Sequence, residues 1–256
     1  MNKWALILGA SSGIGEKSAI ELAKKGLNIY GVYLRKPASH IEPLIKKIES
    51  FGVKVIFKKM NAANEKNRFD AINELKAIKM VNIKVFIHSL AFGALKPMIN
   101  NDSSKSLNQK NIEMTLDVMS NSLVYWTQDL LNHKLIKETS QIISMTSAGG
   151  SQQWKSYGAV SMAKSSLESA TRQLAFELAS YKIACNCIQA GVTMTPALEK
   201  IPGYQDMVAH ATKTNPHQRL TTTADIAQAI VLLGLSENYW LTGNTIKVDG
   251  GESLTS

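Results

Sequence analysis

Short apolar segments alternate with longer amphipathic segments along almost all of this 256-residue chain. This alternation restricts the fold more than any other feature, because strands separated by helices pair in parallel and bury both faces of their sheet. The pattern predicts seven strands, near Trp4–Leu8, Leu27–Leu34, Val53–Phe57, Val81–His88, Gln141–Met145, Ile183–Ile188 and Thr245–Val248. Helices are predicted near 14–25, 39–50, 64–79, 108–133, 156–179 and 223–234. The expected fold class is α/β, a doubly wound parallel sheet with helices on both faces.

Residues 1–256 are predicted to form a single domain, since no linker rich in Pro, Gly or Ser divides them and no repeat is present. One stretch, 192–220, interrupts the alternation with three prolines around a short helical pattern at Tyr204–Lys213. It follows the carboxyl end of a predicted strand, where sheets of this kind bind their ligands. We therefore predict that 192–220 is a substrate-binding loop or lid.

Composition excludes several classes of protein. With 45% hydrophobic and 19% charged residues, the chain is neither disordered nor a coiled coil, and no apolar run reaches the roughly 18 residues of a membrane helix. The apolar start ends at once in Ser11-Ser12-Gly13 and is interpreted as a buried strand rather than a signal peptide. The only cysteines, Cys185 and Cys187, are expected to be buried and reduced in a cytoplasmic protein. No cluster has metal-ligand spacing, so no metal is predicted.

Charge is distributed unevenly along the chain. Residues 1–110 contain 19 Lys and Arg against 8 Asp and Glu, whereas the remainder contains 10 against 12, and the net charge is +9. Such a basic half could attract nucleic acid, anionic lipid or an acidic protein. No nucleic-acid motif accompanies it, and a solvated surface is the preferred interpretation. Neither a nucleic-acid partner nor a membrane partner is predicted.

A glycine-rich turn follows the first predicted strand and precedes a helix. Binding a dinucleotide phosphate requires a tight turn, a close backbone approach and a free helix N-terminus. The run 9–15 meets these needs, and the predicted cofactor-binding residues in it are Gly9, Ser11, Ser12, Gly13, Ile14 and Gly15. A plain tight turn without a ligand is the alternative.

The end of the second predicted strand bears on the choice of cofactor. An acidic residue there would bind the free adenosine ribose of NADH, but this chain has Leu34-Arg35-Lys36. A guanidinium pairs with a 2′-phosphate. Arg35 therefore favours NADPH over NADH, unless it is one more surface cation.

With these motifs the chain resembles the short-chain dehydrogenase/reductase superfamily, which has a Rossmann-like fold. The glycine turn, Asn215-Pro216…Arg219, Ala224-Asp225-Ile226-Ala227 and Val248-Asp249-Gly250-Gly251 are similar to its landmarks. Most members place a Tyr four residues before a Lys, but here Val160 is four before Lys164 and Tyr157 is seven before it. The enoyl-acyl-carrier-protein reductases share this Tyr-x6-Lys spacing.

Other segments support that branch of the superfamily. His88-Ser89-Leu90-Ala91-Phe92 and Ala190–Thr195 resemble its stretches, and Met119 stands where a proton-relay Asn is usual. A short glycine loop and the downstream Arg35 make the NADPH-dependent type III enzymes the most similar group, whereas His88–Phe92 resembles type I. Type I enzymes carry a second Tyr where this chain has Ser147.

The resemblance implies an enoyl-acyl-carrier-protein reductase of fatty acid biosynthesis. Enzymes of this kind reduce trans-2-enoyl thioesters. The resemblance also implies a homotetramer, with acyl-carrier protein as a possible partner. The implied catalytic residues are Tyr157, Lys164 and Ser147. The further implied cofactor-binding residues are Asn61, Ala62, Ser89, Leu90, Ala91, Lys164, Gly191, Val192, Thr193 and Thr195.

Two alternatives stay open. One is a reductase of a ketone or alcohol substrate such as a 3-oxoacyl thioester, and the other is a non-catalytic nucleotide-sensing protein. Seven aromatic and methionine side chains also have two interpretations, as the lining of an acyl tunnel or as core or lid packing. These residues are Phe92, Met98, Trp154, Phe176, Met194, Tyr204 and Met207.

Overall fold

A computed structural model describes residues 2–255. Its seven strands form one parallel sheet in the order β3-β2-β1-β4-β5-β6-β7, as doubly wound folds require. The strands are β1 Asn2–Leu8, β2 Asn28–Tyr33, β3 Val55–Lys59, β4 Val81–His88, β5 Gln141–Ser147, β6 Ala184–Ala190 and β7 Thr245–Val248. The predicted fold class is confirmed, with strand boundaries shifted by at most two residues.

Helices cover both faces of the sheet. They are α1 Gly13–Lys24, α2 Ala38–Glu49, α3 Glu65–Ala77, α4 Gln109–Leu116, α5 Ser122–Asn132, α6 Gly158–Glu177, α7 Tyr204–Thr214 and α8 Thr223–Gly234. One core contains apolar residues of α3, α5 and α6, and the other contains residues of α1, α2 and α8. The central strand β4 is buried along its whole length, because it lies between the two cores.

The predicted helix 108–133 is not continuous. A π-helical turn, Asp117–Asn121, separates α4 from α5 and buries Met119. Such a turn disrupts the regular ladder of backbone hydrogen bonds. Here the Ser122 hydroxyl donates to the Val118 carbonyl at 2.8 Å, and the Tyr125 hydroxyl donates to the Asp117 carboxylate at 3.0 Å. Apolar periodicity does not register this local change, so the sequence predicted one helix.

Residues 192–220 form a separate layer beyond β6. They contain a short 3₁₀ turn, Leu198–Lys200, and then α7, which agrees with the predicted helical pattern at Tyr204–Lys213. Elsewhere in the described chain, Cys185 and Cys187 are buried and unbridged. Among residues 2–255, no helix combines the length and apolar character needed to cross a bilayer.

Candidate active site

The turn between β1 and α1 brings a helix N-terminus close to the sheet. Gly9 has φ +88°, and the N–H groups of Gly9 and Ala10 donate to the Val32 carbonyl at 2.9 and 3.0 Å. A Cβ at Gly9 would collide with the Ser89 carbonyl, and one at Gly15 would collide with the Gly9 carbonyl. Any side chain at either position would force the turn open. Since no side chain caps α1 at its N-cap residue, its first N–H groups fit a dinucleotide phosphate.

The predicted residues beside this turn lie at the ends of two neighbouring strands. Arg35 follows β2, is exposed, and stacks on the ring of Phe92 with 3.5 Å between its Cζ atom and the ring centroid. Asn61 and Ala62 follow β3, where their polar groups are used within the fold. The Asn61 side chain accepts from the Ala63 N–H at 3.0 Å, and the Ala62 carbonyl accepts from the Trp126 indole at 2.8 Å.

A cavity of about 360 Å³ opens at the carboxyl ends of β4, β5 and β6. Its lining includes eleven of the residues singled out from the sequence, namely Ile14, Ser89, Leu90, Ala91, Ser147, Tyr157, Lys164, Gly191, Val192, Thr193 and Thr195. The remaining ones lie outside this lining, in the turns that follow β1, β2 and β3 or in the first turn of α1, and they are Gly9, Ser11, Ser12, Gly13, Gly15, Arg35, Asn61 and Ala62. The site residues thus divide into a group around the cavity and a group around the glycine turn.

Tyr157 and Ser147 place two hydroxyl groups in the cavity. Tyr157 is the N-cap residue of α6, and its hydroxyl oxygen lies 3.5 Å from the Ser147 Oγ at the end of β5. Burial raises the pKa of the Tyr157 hydroxyl, and the hydrogen bond with Ser147 acts in the opposite direction. Tyr157 is therefore protonated near neutral pH and can donate a hydrogen bond.

Lys164 lies deeper in the same helix. Its Nζ donates to the Met145 carbonyl at 2.6 Å, and only 6% of the residue is exposed. Burial lowers the pKa of Lys164 to about 8, while Cys187 and Glu168 oppose that shift. The hydrogen bond to β5 fixes this ammonium group at the base of the cavity.

The positions at which the superfamily usually has its Tyr and its proton-relay Asn are apolar in this chain. Val160, one helical turn before Lys164, is 5% exposed and packs with Met119, which is 2% exposed. Both side chains line the cavity, and Tyr157 packs against the same cluster. Tyr157 and Ser147 are therefore the hydroxyl groups that the structure brings together beside Lys164.

Comparison with known proteins identifies the family of this chain. A sequence model of the family described as enoyl-(acyl carrier protein) reductase matches residues 9–253. The chain belongs to this family, within the short-chain dehydrogenase/reductase superfamily. The resemblance inferred from the sequence is confirmed, and the chain is an NAD(P)H-dependent oxidoreductase.

The names of individual relatives indicate more than one reaction. An enoyl-[acyl-carrier-protein] reductase [NADH] of Nostoc is 27% identical, with 98% of this chain and 96% of the relative covered. A 3-oxoacyl-[acyl-carrier-protein] reductase of Buchnera aphidicola is 26% identical, with 99% and 98% covered. Among solved structures, the enoyl-[acyl-carrier-protein] reductase (NADH) of Aquifex aeolicus has a TM-score of 0.86 at 22% identity, with 98% and 96% covered. These relatives support the superfamily chemistry and leave the reaction open.

The family site contains a buried histidine to which the sequence assigned no role. His88, at the end of β4, is fully buried, and its Nε2 lies 2.8 Å from the Ser122 Oγ. Because Ser122 already donates to Val118, His88 Nε2 is the donor and its Nδ1 carries no proton. Burial, reinforced by the nearby Lys164, lowers the pKa of His88 to about 3, so the ring is neutral. Within the motif His88–Phe92, this residue therefore anchors the π turn to the sheet.

Glu252 is a second residue that the sequence did not single out. It lines the cavity, and its carboxylate accepts from the Val192 N–H at 3.1 Å. Burial raises the pKa of Glu252, while the Val192 hydrogen bond opposes the shift. The sequence offered one signal for Glu252, its position directly after Val248-Asp249-Gly250-Gly251. That motif returns the chain to the end of β6, where the cavity lies.

The side chains considered for an acyl tunnel fall into three groups. Phe92, Trp154 and Met207 line the cavity, and the Trp154 indole donates to the Pro202 carbonyl at 3.1 Å. Phe176 is 79% exposed near the far end of α6, so the prediction that it lines an acyl tunnel is wrong. The remaining three candidates, Met98, Met194 and Tyr204, are outside the lining.

Residues 192–220 supply much of the cavity wall. Their contribution includes Leu198, Ile201 and Met207, which are apolar, together with Lys200 and His210. Their place at the cavity agrees with a substrate-binding segment, and opening of this segment as a lid stays a prediction.

Proposed function

We propose that this protein reduces trans-2-enoyl thioesters to saturated acyl thioesters with NADPH. The observation that carries the proposal is the apolar contact between Val160 and Met119, which leaves Tyr157, seven residues before Lys164, as the tyrosine that lines the cavity. Tyr157 begins α6, whereas Lys164 is two turns further along. Seven residues separate the two Cα atoms by about 10 Å along the helix axis, compared with about 6 Å for four residues.

This displacement suits reduction of a carbon–carbon double bond. When bound, the nicotinamide cofactor supplies a hydride to Cβ of the enoyl group. Negative charge then develops on the thioester oxygen, which is two atoms further from that carbon than a ketone oxygen would be, and the Tyr157 hydroxyl donates a hydrogen bond or its proton there. A proton from water then adds at Cα, and any proton that Tyr157 gave to the oxygen returns to Tyr157, which completes the saturated product. The Ser147 hydroxyl orients the thioester carbonyl, and Lys164 binds the ribose hydroxyls and stabilises the negative charge.

NADPH is the proposed cofactor because of the residues after β2. Arg35 is exposed there, and it makes no ion pair or side-chain hydrogen bond with another residue in the range 2–255. Its donors can therefore pair with a 2′-phosphate. The Nostoc relative carries NADH in its name, so cofactor choice would distinguish this chain from that relative.

Reduction of a 3-oxoacyl thioester is the second candidate. The Ser147–Tyr157 hydroxyl pair and the Buchnera relative favour it. Such a reaction requires protonation of an oxygen on the very carbon that receives the hydride. The apolar Val160 side chain, at the usual Tyr position, offers no proton there.

One set of assays separates these candidates. Purified protein is mixed with NADPH and either crotonyl-CoA or acetoacetyl-CoA, and absorbance of the reduced cofactor is followed at 340 nm. The proposal predicts faster turnover of crotonyl-CoA. Preference for acetoacetyl-CoA would establish the second candidate, and cofactor binding without turnover of either would favour a nucleotide-sensing protein.

We also propose a cytoplasmic homotetramer that accepts substrates from acyl-carrier protein. The large exposed side chains of Met162 and Phe176 on α6 support association through the long central helices. Light scattering coupled to size exclusion tests the assembly. A monomer at micromolar concentration would contradict it.

A further inference from the structure

We infer that Phe92 is a positioning residue that holds Arg35 ready for the 2′-phosphate of NADPH. The inference rests on the proposed use of NADPH and adds a residue from another strand to that specificity. It starts from one contact, in which the Arg35 guanidinium carbon lies 3.5 Å from the centroid of the Phe92 ring.

The contact spans the nucleotide-binding turn. Arg35 follows β2 and Phe92 follows β4, and these strands lie on either side of β1. The turn after β1 is held to both neighbours, because the Gly9 N–H donates to Val32 of β2 and the Ser89 N–H donates to Leu8. The Arg35–Phe92 pair is therefore a side-chain bridge between the two loops that flank the glycine turn.

Stacking leaves the arginine free to bind an anion. A guanidinium contacts an aromatic ring through its flat face, whereas it pairs with phosphate through N–H groups that point outward in its plane. In the described chain no carboxylate or carbonyl accepts from Arg35. Phe92 and a phosphate can thus contact the same arginine simultaneously without competing for its donors.

The Arg35–Phe92 contact also reduces the conformational entropy that Arg35 loses when NADPH binds. A free surface arginine loses much side-chain freedom when it is fixed on a phosphate. Arg35 is exposed, but Phe92 is partly buried and already lines the cavity. Because the ring restricts the guanidinium before the ligand arrives, less freedom is lost on binding, and this is the general effect of preorganisation.

The test measures how strongly each variant prefers NADPH to NADH. Dissociation constants are determined by titration calorimetry for wild type, Phe92→Leu, Phe92→Tyr and Arg35→Ala. Phe92→Leu keeps an apolar side chain but removes the ring, and Phe92→Tyr restores a ring. Phe51→Leu is the matched control, since its ring lies 5.9 Å from Lys24 at a surface remote from the described site.

We expect Phe92→Leu to weaken NADPH binding about twofold to fivefold, the range of an exposed cation–π contact, and to leave NADH binding nearly unchanged. Phe92→Tyr and Phe51→Leu should keep the wild-type ratio of the NADH dissociation constant to the NADPH dissociation constant. In Arg35→Ala, adding Phe92→Leu should lower the ratio no further, because the two residues act as a unit.

The outcomes separate this inference from the cofactor proposal. If wild type prefers NADPH, Arg35→Ala abolishes that preference and Phe92→Leu retains it, the role of Phe92 is wrong while Arg35 stands. Equal loss of NADPH and NADH in Phe92→Leu would likewise overturn the inference, since the ring would then shape the groove for both cofactors. A wild type that binds both equally would overturn the cofactor proposal and this inference with it.

Discussion

The two halves of the site differ in how they are built. Around the glycine turn, backbone groups and one exposed arginine present donors to an anion, and the fold needs little from other side chains there. Around the cavity, the proposed function depends on buried side chains such as Lys164 and Val160 and on a carbonyl of the neighbouring strand. Backbone geometry at a strand–helix turn suits any dinucleotide, whereas in the proposed function the buried half decides what is reduced.

Such a division would allow relatives of nearly equal identity to carry the names of two different reactions. Exchanging an apolar side chain for a polar one at Val160 or Met119 would leave the glycine turn unchanged but add a proton donor or relay to the cavity. At 26% and 27% identity, such positions carry little weight in an overall comparison. The predictions below test the two halves separately.

The largest effect is expected in the cavity half. Tyr157→Phe should lower kcat for crotonyl-CoA about 10²–10³-fold, because the developing oxyanion loses a hydrogen-bond donor. The dissociation constant of NADPH should change little, since the hydroxyl contacts substrate rather than cofactor. Single-turnover rates and calorimetry measure the two quantities.

The control for this variant is Tyr181→Phe, which removes the hydroxyl of a tyrosine that is 50% exposed just beyond α6. It should behave as wild type. Unchanged kcat in Tyr157→Phe would remove Tyr157 from the mechanism and with it the argument from spacing.

A smaller loss is expected at the glycine turn. Arg35→Ala should weaken NADPH binding by about 1.5–3 kcal/mol, the usual value of a hydrogen bond to a charged group, and change NADH binding little. Binding titrations with both cofactors measure it. Lys47→Ala removes an exposed cation of α2 as a control for general electrostatics. A tenfold wild-type preference for NADH would contradict the role of Arg35.

The same division describes what the sequence can predict. The strands and helices can be predicted from the sequence, because the spacing of apolar residues differs between the two. The approach of Ser147 to Tyr157 can also be predicted, because both residues lie at or just beyond the carboxyl end of β5. The hydrogen bond from Lys164 to the Met145 carbonyl is different, because it depends on the depth of α6 over β5. The neutral state of His88 depends on complete burial in the same way, and no local pattern encodes it.

The pH dependence of the cavity half follows from Lys164. Its ammonium loses a proton as the pH rises through about 8, a value lowered by burial. Tyr157 has a raised pKa and keeps its proton in this range. If the charge assists reduction, kcat/KM, which reports the free enzyme, should fall toward tenfold per pH unit above about 8.

Lys164→Arg provides the comparison, because a guanidinium stays charged at every pH of the assay. Its residual activity should not fall in this window. A wild-type profile that is flat to pH 10 would show that the charge of Lys164 is dispensable.

The smallest effect concerns the outer rim of the cavity, where an acidic carrier protein would dock. Lys200 lines the cavity, and Lys96 and Lys155 are exposed neighbours in sequence of lining residues. If they attract the carrier, kcat/KM for crotonyl-acyl-carrier protein should fall about threefold to tenfold from 50 to 300 mM salt, as screening slows association. Uncharged crotonyl-pantetheine should show no such fall.

Charge removal then locates the effect. Replacing Lys96, Lys155 and Lys200 by Gln should flatten the salt dependence for the carrier substrate. Replacing Lys46 and Lys47, which are exposed on α2, should leave it intact. Equal behaviour of both sets would mean that the carrier responds to net charge rather than to the rim. Absence of a salt dependence in wild type would show that neither the rim lysines nor the basic half of the chain attracts the carrier. In that case the glycine-turn half and the cavity half of the site would still bind different parts of the ligands. Neither half would attract the carrier through its charge.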